Sequence, residues 1–473
     1  MGTINSALSI ASQALDADQQ ALNVVANNVA NANTPGYTEE KPNWQENSPL
    51  NIDGVTIGQG VTETGATSVR DKVLTARLDQ QQQLASASGS RLTALDTLQA
   101  LFTPDSGSSS SMAGDIGSDI TSFFDTFSSL EANPTNNSDR QAVLSAAKTL
   151  SGDISNAAAS LDSQRSALDQ EASGVTSQVN SLTSAIAQLN QQIMTTSPNA
   201  DAGTLEDQRQ NDLSQLSKLI GINQITTENN GLAITTTSGA LLVSGNSSYQ
   251  MTTGTVNGVT DFFVGNTDIT SKLATGGGSL GGYLTARDTD IPSVLNSLDQ
   301  LAYGISTEVN TQNNAGTDLD GVTGTTANPL YIFSQPTAVS GSAASMSVVM
   351  TDPNKIAAAG AGEGTGDNSN AMTMASLANK TIVNGQTPSN YYSSFVSTLG
   401  STVSEVQSEN TAQTASVTQL QTQNDALSGV NLNDEASTLT TFERSYQAAS
   451  QVFAILNSIM ASALNLGEQT TVS

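Results

Sequence analysis

Cysteine and histidine are both absent from the 473 residues. Without cysteine there are no disulfides, thiolate metal sites or thiol nucleophiles. Without histidine the usual general base and the commonest transition-metal ligand are gone. Such a composition suits a protein that leaves the cell and needs no redox chemistry. Aromatic residues make up only 4%, with Trp44 the sole tryptophan, so no sugar-stacking cleft is advertised. Basic residues number 15 against 43 acidic ones, a net charge of -28. That excludes nucleic acid as a partner, because no Lys/Arg cluster is available to neutralise phosphates. It suits a soluble, mutually repelling surface. No run of 18 apolar residues occurs, so no membrane span and no membrane partner are expected. The first lysine is Lys41, which leaves no basic segment for a signal peptide. If the chain is exported, the route is not the ordinary one. The length suits roughly two to four domains.

What remains is helix, and its charge is uneven. Residues 1–33 carry only Asp16 and Asp18, and residues 432–473 only Asp434, Glu435, Glu443, Arg444 and Glu468. Near the N-terminus, Ile4, Leu8, Ala11, Leu15, Leu22, Val25 and Val29 follow a 4-3-4 spacing, interrupted by Asp18. The helix should end by Asn33, because Thr34 precedes Pro35 and is pushed out of the helical region. The stretch VANNVANANTPGYT (25–38) crowds asparagines onto this helix. Asn23, Asn27 and Asn31 recur every fourth residue, with Asn28 beside them. Asparagine is a mediocre helix former, but it offers a donor and an acceptor without charge. These positions read as an uncharged polar face for packing against identical copies, closed by Thr34, Pro35, Gly36 and Tyr37. At the other end, Leu439, Phe442, Tyr446, Ala449, Phe453, Leu456, Met460 and Ala463 alternate spacings of 3 and 4. Val452, Ile455 and Ile459 widen the stripe. Asn433 is the expected N-cap and Gly467 the expected stop.

Between the ends, SDRQ (138–141) reads as a capping box. A heptad seam then runs from Ile154 to Ile193, excepting Arg165, with Gly152 and Gly174 as candidate breaks. Unbroken, those fifty-odd residues would reach ~80 Å. A second seam spans Asn390 to Leu427, polar in its middle at Asn410 and Gln413. Shorter helices are expected at 71–102 and 288–312. Residues 222–271 alternate and carry turn signals, the mark of a small antiparallel β domain. A hairpin is expected near 50–69 around Asp53-Gly54, and a further strand at 345–350. SGSSSSMAG (106–114) and AAAGAGEGTG (357–366) read as mobile connectors. The fold class is therefore α+β, mainly α. Paired terminal helices (1–33 and 432–473) flank a rod-like helical domain (34–221 and 284–431), into which a β domain (222–283) is inserted.

Candidate chemistry is thin. GGGSLGG (276–282) contains G-x-G-x-x-G, but no βαβ unit or ribose-binding acid accompanies it, so a flexible linker or hinge is the reading. DLDG (318–321) lacks the later ligands of a calcium loop and reads as a turn. Nothing singles out a carboxylate pair for glycoside hydrolysis. No catalytic, cofactor-binding or metal-binding residue is assigned. The terminal seams are different. Two isolated helices bury too little to offset their ordering entropy, so their seams call for other chains.

ANNVANANTPGY (26–37) resembles the signature of the bacterial flagellar axial proteins, the rod, hook and hook-associated subunits. GVNLNDEASTLTTFERSYQAASQVFAILNSIMASALNL (429–466) resembles their C-terminal helix. DRQAVLSAAKTL (139–150), GGSLGGYLTARD (277–288) and DPNKIAAAGAGEGTGDNSNA (352–371) point to the hook-associated members. The resemblance implies a structural subunit of the hook–filament junction, exported by the flagellar type III apparatus to the cell exterior. It implies about eleven copies in a layer whose stacking is heterologous and open-ended. It implies hook protein below, the next hook-associated protein above, and a cytoplasmic export chaperone on the C-terminal segment. The terminal helices would form an inner tube and the β domain would face outward. Glu39 and Glu40 replace the family's usual basic or glutamine-rich residues after PGYT, and the chain is short for a second outer domain. Outside this reading stand a hook or rod subunit, a secreted coiled-coil adhesin or binding protein, and an enzyme.

Overall fold

The computed structural model describes residues 2–52, 55–102, 115–196, 201–256 and 258–468. In chain order, α1 (Gly2–Asn31) leads into a ribbon of β1 (Glu40–Glu46) and β4 (Val61–Ser68). Nested inside that ribbon is a small hairpin of β2 (Leu50–Ile52) and β3 (Val55–Ile57). The expected hairpin is thus two nested pairs, and its turn residues Asp53 and Gly54 lie outside the described residues. Next come α2 (Lys72–Phe102), α3 (Ile116–Ala132), α4 (Asn137–Thr196) and α5 (Thr204–Leu219). The connector at 106–114 also lies outside the described residues.

The 60-residue α4 organises the molecule. Its buried stripe, from Val143 through Ile154, Leu161, Leu168, Val175 and Val179 to Ile193, faces core along its whole length. Gly152 and Gly174 do not break it. Each costs ~1 kcal/mol of propensity, which the buried stripe outweighs. The capping box is displaced as well. Asn136, not Ser138, caps the helix, its Oδ1 accepting from the Ser138 amide at 2.9 Å. Arg140 is only 1% exposed and spends its guanidinium on the carbonyls of Pro134, Asn354 and Ile356.

Two antiparallel sheets follow. One is ordered β5 (Ile222–Thr226), β6 (Leu232–Thr236), β7 (Leu241–Ser244), β8 (Ser247–Ser248). The other is formed by β9 (Met251–Val256), β10 (Val259–Val264) and β11 (Thr267–Asp268), with β10 central. They share a core with the second half of α4, with α5, and with the helices that follow, α6 (Thr270–Ala274) and α7 (Gly278–Thr285). The glycine run at 276–282 is therefore no flexible linker. Gly278 abuts the backbone of Leu219 and Ile220, and Gly282 abuts that of Ala87 and Arg91 in α2. Only hydrogen fits at these approaches.

The helix expected from 288 starts ten residues earlier, as α7, and passes through a π turn (Ala286–Asp290) into α8 (Ile291–Ala315). Then come α9 (Ser342–Ser345), α10 (Ser369–Ser376), α11 (Pro388–Ser428) and α12 (Leu432–Glu468). A second core joins the end of α2, α3, the first half of α4, α8, α10 and α11. Residues 345–350 contribute one isolated bridge, Val348 to Phe333, rather than a strand. The stretch 357–366 is anchored, not loose: Ala357, Ala358 and Ala359 are buried, and Asp367 accepts from the Gly360 amide. Asn431, not Asn433, caps α12, accepting from the Asn433 amide at 3.1 Å, and Gly467 lies inside that helix. Within 388–464, one eighteen-residue window reaches a mean hydropathy of 1.2 with none of it buried. Length and composition alone therefore qualify one segment to cross a membrane, contrary to expectation. In α12, however, Ser450, Gln451, Asn457 and Ser458 are interleaved with the apolar residues, which keeps the helix one-sided.

Gly282→Ala is expected to destabilise by about 1–3 kcal/mol through overpacking. Gly174→Ala, where a methyl meets nothing within 4 Å, should stabilise by about 0.5–1 kcal/mol. Urea unfolding of both variants checks the pair. Asp79 of α2, 2% exposed, accepts from Gln210 of α5 and Gln224 of β5, yet burial pushes its carboxyl up to about 6. A raised pKa favours the protonated fold. This contribution should be complete below about pH 4, fall as pH rises through about 6, and vanish in Asp79→Asn.

Candidate assembly interface

The end of α1 meets the start of α12, and the two helices pack antiparallel along each other. On α1 the buried stripe is built from small or polar residues: Ala11, Ala17, Asp18, Ala21, Val25 and Asn28. Ile4, Leu8, Leu15 and Leu22 are half-buried beside it, and Val29 is exposed. On α12, Leu439, Phe442, Phe453, Leu456 and Met460 are only half-buried, and Tyr446 is exposed. A neighbouring row is open: Val452 is 50% exposed, Ile455 60%, Ile459 47% and Leu464 57%. The helix pair thus covers one seam and leaves a second apolar row without cover. Polar groups inside the pair are also short of partners, since Asp18 Oδ2 and Glu435 Oε2 are buried with no hydrogen bond among the described residues. Buried polar atoms in finished structures are nearly all paired.

The α1 stop is a compact node. Thr34 N–H donates to Asn31 O at 2.8 Å and Tyr37 N–H to Thr34 O at 3.1 Å, with Gly36 at φ +80° making the turn. Asn28, 1% exposed, uses its whole amide. Its Nδ2 donates to Glu40 O at 2.8 Å and to Glu435 Oε1 at 2.9 Å. Its Oδ1 accepts from the Tyr37 hydroxyl at 2.9 Å and from the Glu40 amide at 3.1 Å. Two donors and two lone pairs on one neutral side chain is what only an Asn or Gln supplies. The sequence placed Asn28 on an outward face with Asn27 and Asn31. In the structure it faces inward and bonds within its own chain. Asn27 and Asn31 bond each other at 2.5 Å, and Asn23 and Asn27 are exposed.

The next layer of the node ties this corner to the helical body. Thr38 donates through both N–H and Oγ1 to Asp207 at 3.0 and 2.8 Å. Arg70 pairs with Glu206 at 3.0 Å and with Asp207, both in the first turn of α5, where the helix dipole favours carboxylates. Glu39 N–H donates to Ser428 O at the end of α11. The Trp44 and Phe442 rings meet edge-on at 5.6 Å, locking β1 to α12. Carboxylates crowd here. Burial, then Asp207 and Asp201, raise the Glu40 carboxyl. Burial, then Glu40, Asp207 and Glu435, hold the Tyr37 hydroxyl well above its usual range. Arg70, Glu206, Asp207 and Glu435 escaped the sequence reading as one site, because they meet only through the fold.

Neither sequence motif with a chemical look forms a site. Asp318 accepts from the Asp320 and Val322 amides, and Lys355 bridges Asp318 and Asp320 at 3.0 Å each, which makes DLDG a braced turn. Among the described residues no cluster of three or more carboxylates is arranged to hold a metal ion.

Two family models match. The one described as flagellar hook-associated protein FlgK helical domain covers residues 106–327, and the one described as flagella basal body rod protein covers 8–38. The second spans the α1 seam and its stop. Flagellar hook-associated protein 1 of Salmonella typhimurium is 26% identical over 98% of this chain and 100% of its own length. Its counterpart from Bacillus subtilis is 26% identical over 97% of both. The solved flagellar hook junction protein FlgK from Burkholderia pseudomallei superposes with a TM-score of 0.65 at 19% identity, covering 74% of this chain and 99% of its own. Terminal helices that pair around a rod-type stop, together with these matches, define a flagellar axial protein. Within that class, the relatives that the chain matches over nearly its whole length are flagellar hook-associated protein 1, a structural part of the flagellum.

Asn28→Leu should cost about 2–4 kcal/mol, because it leaves the Tyr37 hydroxyl and the Glu40 backbone unpaired. Tyr37→Phe should cost about 1 kcal/mol. Thermal unfolding of the assembled chain, in which the terminal helices are ordered, measures the difference from wild type.

Proposed function

We propose that the chain is a junction subunit between hook and filament that assembles with copies of itself through its terminal helices and performs no catalysis. The observation that carries this is the open row Val452, Ile455, Ile459 and Leu464 beside a half-buried seam. Ile4, Leu8, Leu15, Leu22, Asn27, Val29 and Asn31 of α1, with Leu439, Phe442, Tyr446, Phe453, Leu456 and Met460 of α12, form the assembling surface. Asn28 and the Thr34-Pro35-Gly36-Tyr37 stop set its angle. Residues 1–33 and 432–473 act as an inner tube, the helical body 34–221 and 284–431 as the surrounding shell, and 222–283 as an outward β domain. Partners are neighbouring copies, about eleven in a layer as the resemblance to the flagellar axial proteins implies, stacked heterologously. Hook protein lies below, the next hook-associated protein above, and an export chaperone holds the C-terminal segment before secretion through the flagellar type III route. The terminal segments order when neighbours cover them, so part of the contact energy goes into ordering.

Full-length chain should add to purified hook ends, and a chain lacking 1–33 and 432–473 should not. Circular dichroism of the two soluble forms gives the second readout. The truncation should remove far less helix than the length of the deleted segments. A loss in proportion to that length would show that the ends fold before assembly.

A further inference from the structure

Strand β9 is an edge. It pairs with β10 in unbroken register from Met251↔Val264 to Val256↔Val259 and, among the described residues, has no neighbour on its other side. The hydrogen-bonding parity of that free side follows from its neighbours. On β10, Phe262 N–H donates to Thr270 Oγ1 and Phe262 O accepts from Ile269 N–H, so Phe262 points away from β9. Its partner Thr253 therefore points away from β10 as well, because facing residues in an antiparallel ladder turn together. Met251 has the same parity, and both its N–H and C=O are capped at 2.8 Å by the Asn180 amide of α4. Thr255 shares it too. The edge thus begins with a capped pair, and the outward N–H and C=O groups of Thr253 and Thr255 have no hydrogen-bond partner among the described residues. Thr252, Thr253, Thr255 and Val256 are all exposed.

Natural sheets blunt such an edge with lysine, proline, an inward charge or a bulge. β9 has none of these. No residue from Asn229 to Thr260 is charged, nor is any from Ala172 to Thr196 in the α4 segment behind the sheet. In a chain of net charge -28 this edge is neutral, and the carboxylates of the sheet, Asp261 and Asp268, lie on β10 and β11. Identical copies repel wherever both are acidic, so they approach at least cost where neither carries charge. A foreign basic partner would be drawn to the acidic surface instead.

We infer that the β9 edge is a lateral contact between neighbouring copies, in which the outward groups of Thr253 and Thr255 receive an extended segment of the next copy. The contact is ladder pairing of the kind seen in β-augmentation. The inference rests on the proposed assembly of the chain, and the test separates the two. The double variant Thr253→Pro/Thr255→Pro removes two outward N–H groups that the monomer does not use. Proline is tolerated on edge strands, so the soluble variant should keep the wild-type circular dichroism and melting midpoint. Its addition to hook ends should need roughly tenfold more protein, whereas Thr253→Ala/Thr255→Ala should behave as wild type. If the proline variant proves misfolded, hydrogen exchange of the wild type decides. Amides of 251–256 should be protected in the assembled chain and not in the soluble one. Wild-type assembly with an unaffected proline variant, or with no added protection, overturns the contact and leaves the proposed function standing. Protection that appears only on adding a non-self protein also overturns it. Failure of the wild type to assemble at all sinks the proposed function itself.

Discussion

One neutral amide fixes the corner on which the rest of the structure turns. Asn28 is on α1, yet its four hydrogen bonds reach the stop turn, β1 and the start of α12, 407 residues further along the chain. The angle between the terminal helices and the body is therefore set by hydrogen-bond geometry rather than by apolar contact, which is non-directional. A carboxylate in its place could not donate, and an apolar residue could neither donate nor accept. Around it, Arg70 offsets part of a carboxylate excess from Glu40, Glu206, Asp207 and Glu435. The corner is thus held by polar geometry while the helices leaving it remain partly bare.

The body behind that corner is held differently. Its two cores meet along α4, and the seam changes partners between Leu168 and Ala172, shortly after Arg165 interrupts the apolar stripe. The glycines at 276–282 let α7 lie against the backbones of α2 and of the chain just after α5. The α2–α11 pair is apolar where Phe102 meets Phe395 at 5.0 Å and polar towards the corner, where Ser88 donates to Asn410 and Gln81 to Gln413. Amides and hydroxyls bury little apolar area, so cohesion in that pair falls off towards the terminal helices.

Much of this was legible because it is local. The 3-4 spacing from Ile4 to Val29 and from Leu439 to Ala463 marks helices whatever surrounds them, and Thr34-Pro35-Gly36 ends the first. The long heptad of α4 was visible too, but Gly152 and Gly174 looked like breaks. A glycine's cost is local, while the packing that outweighs it lies along the whole element. GGGSLGG was misread for the converse reason: its glycines serve close approach to Ala87 and Leu219, neighbours that no local window contains. Ala357–Ala359 looked like loose connector because alanine is small, and they are buried for the same reason. At the site, the stretch 25–38 drew notice at once. The inward turn of Asn28, and its meeting with Glu435, Tyr37 and Glu40, depended on contacts across the fold.

The uninterrupted length of α4 carries a mechanical consequence. Its 60 residues span ~90 Å, and both cores are riveted to that one helix with no loop between them. Twist or tension applied at one core is passed to the other through a continuous ladder of backbone hydrogen bonds. A joint made of two globules on a linker would bend at the linker, whereas this body behaves as a torsion bar. Compliance is left to the polar corner and the bare terminal helices, so rotation delivered at one end arrives at the other with little lost to bending in between.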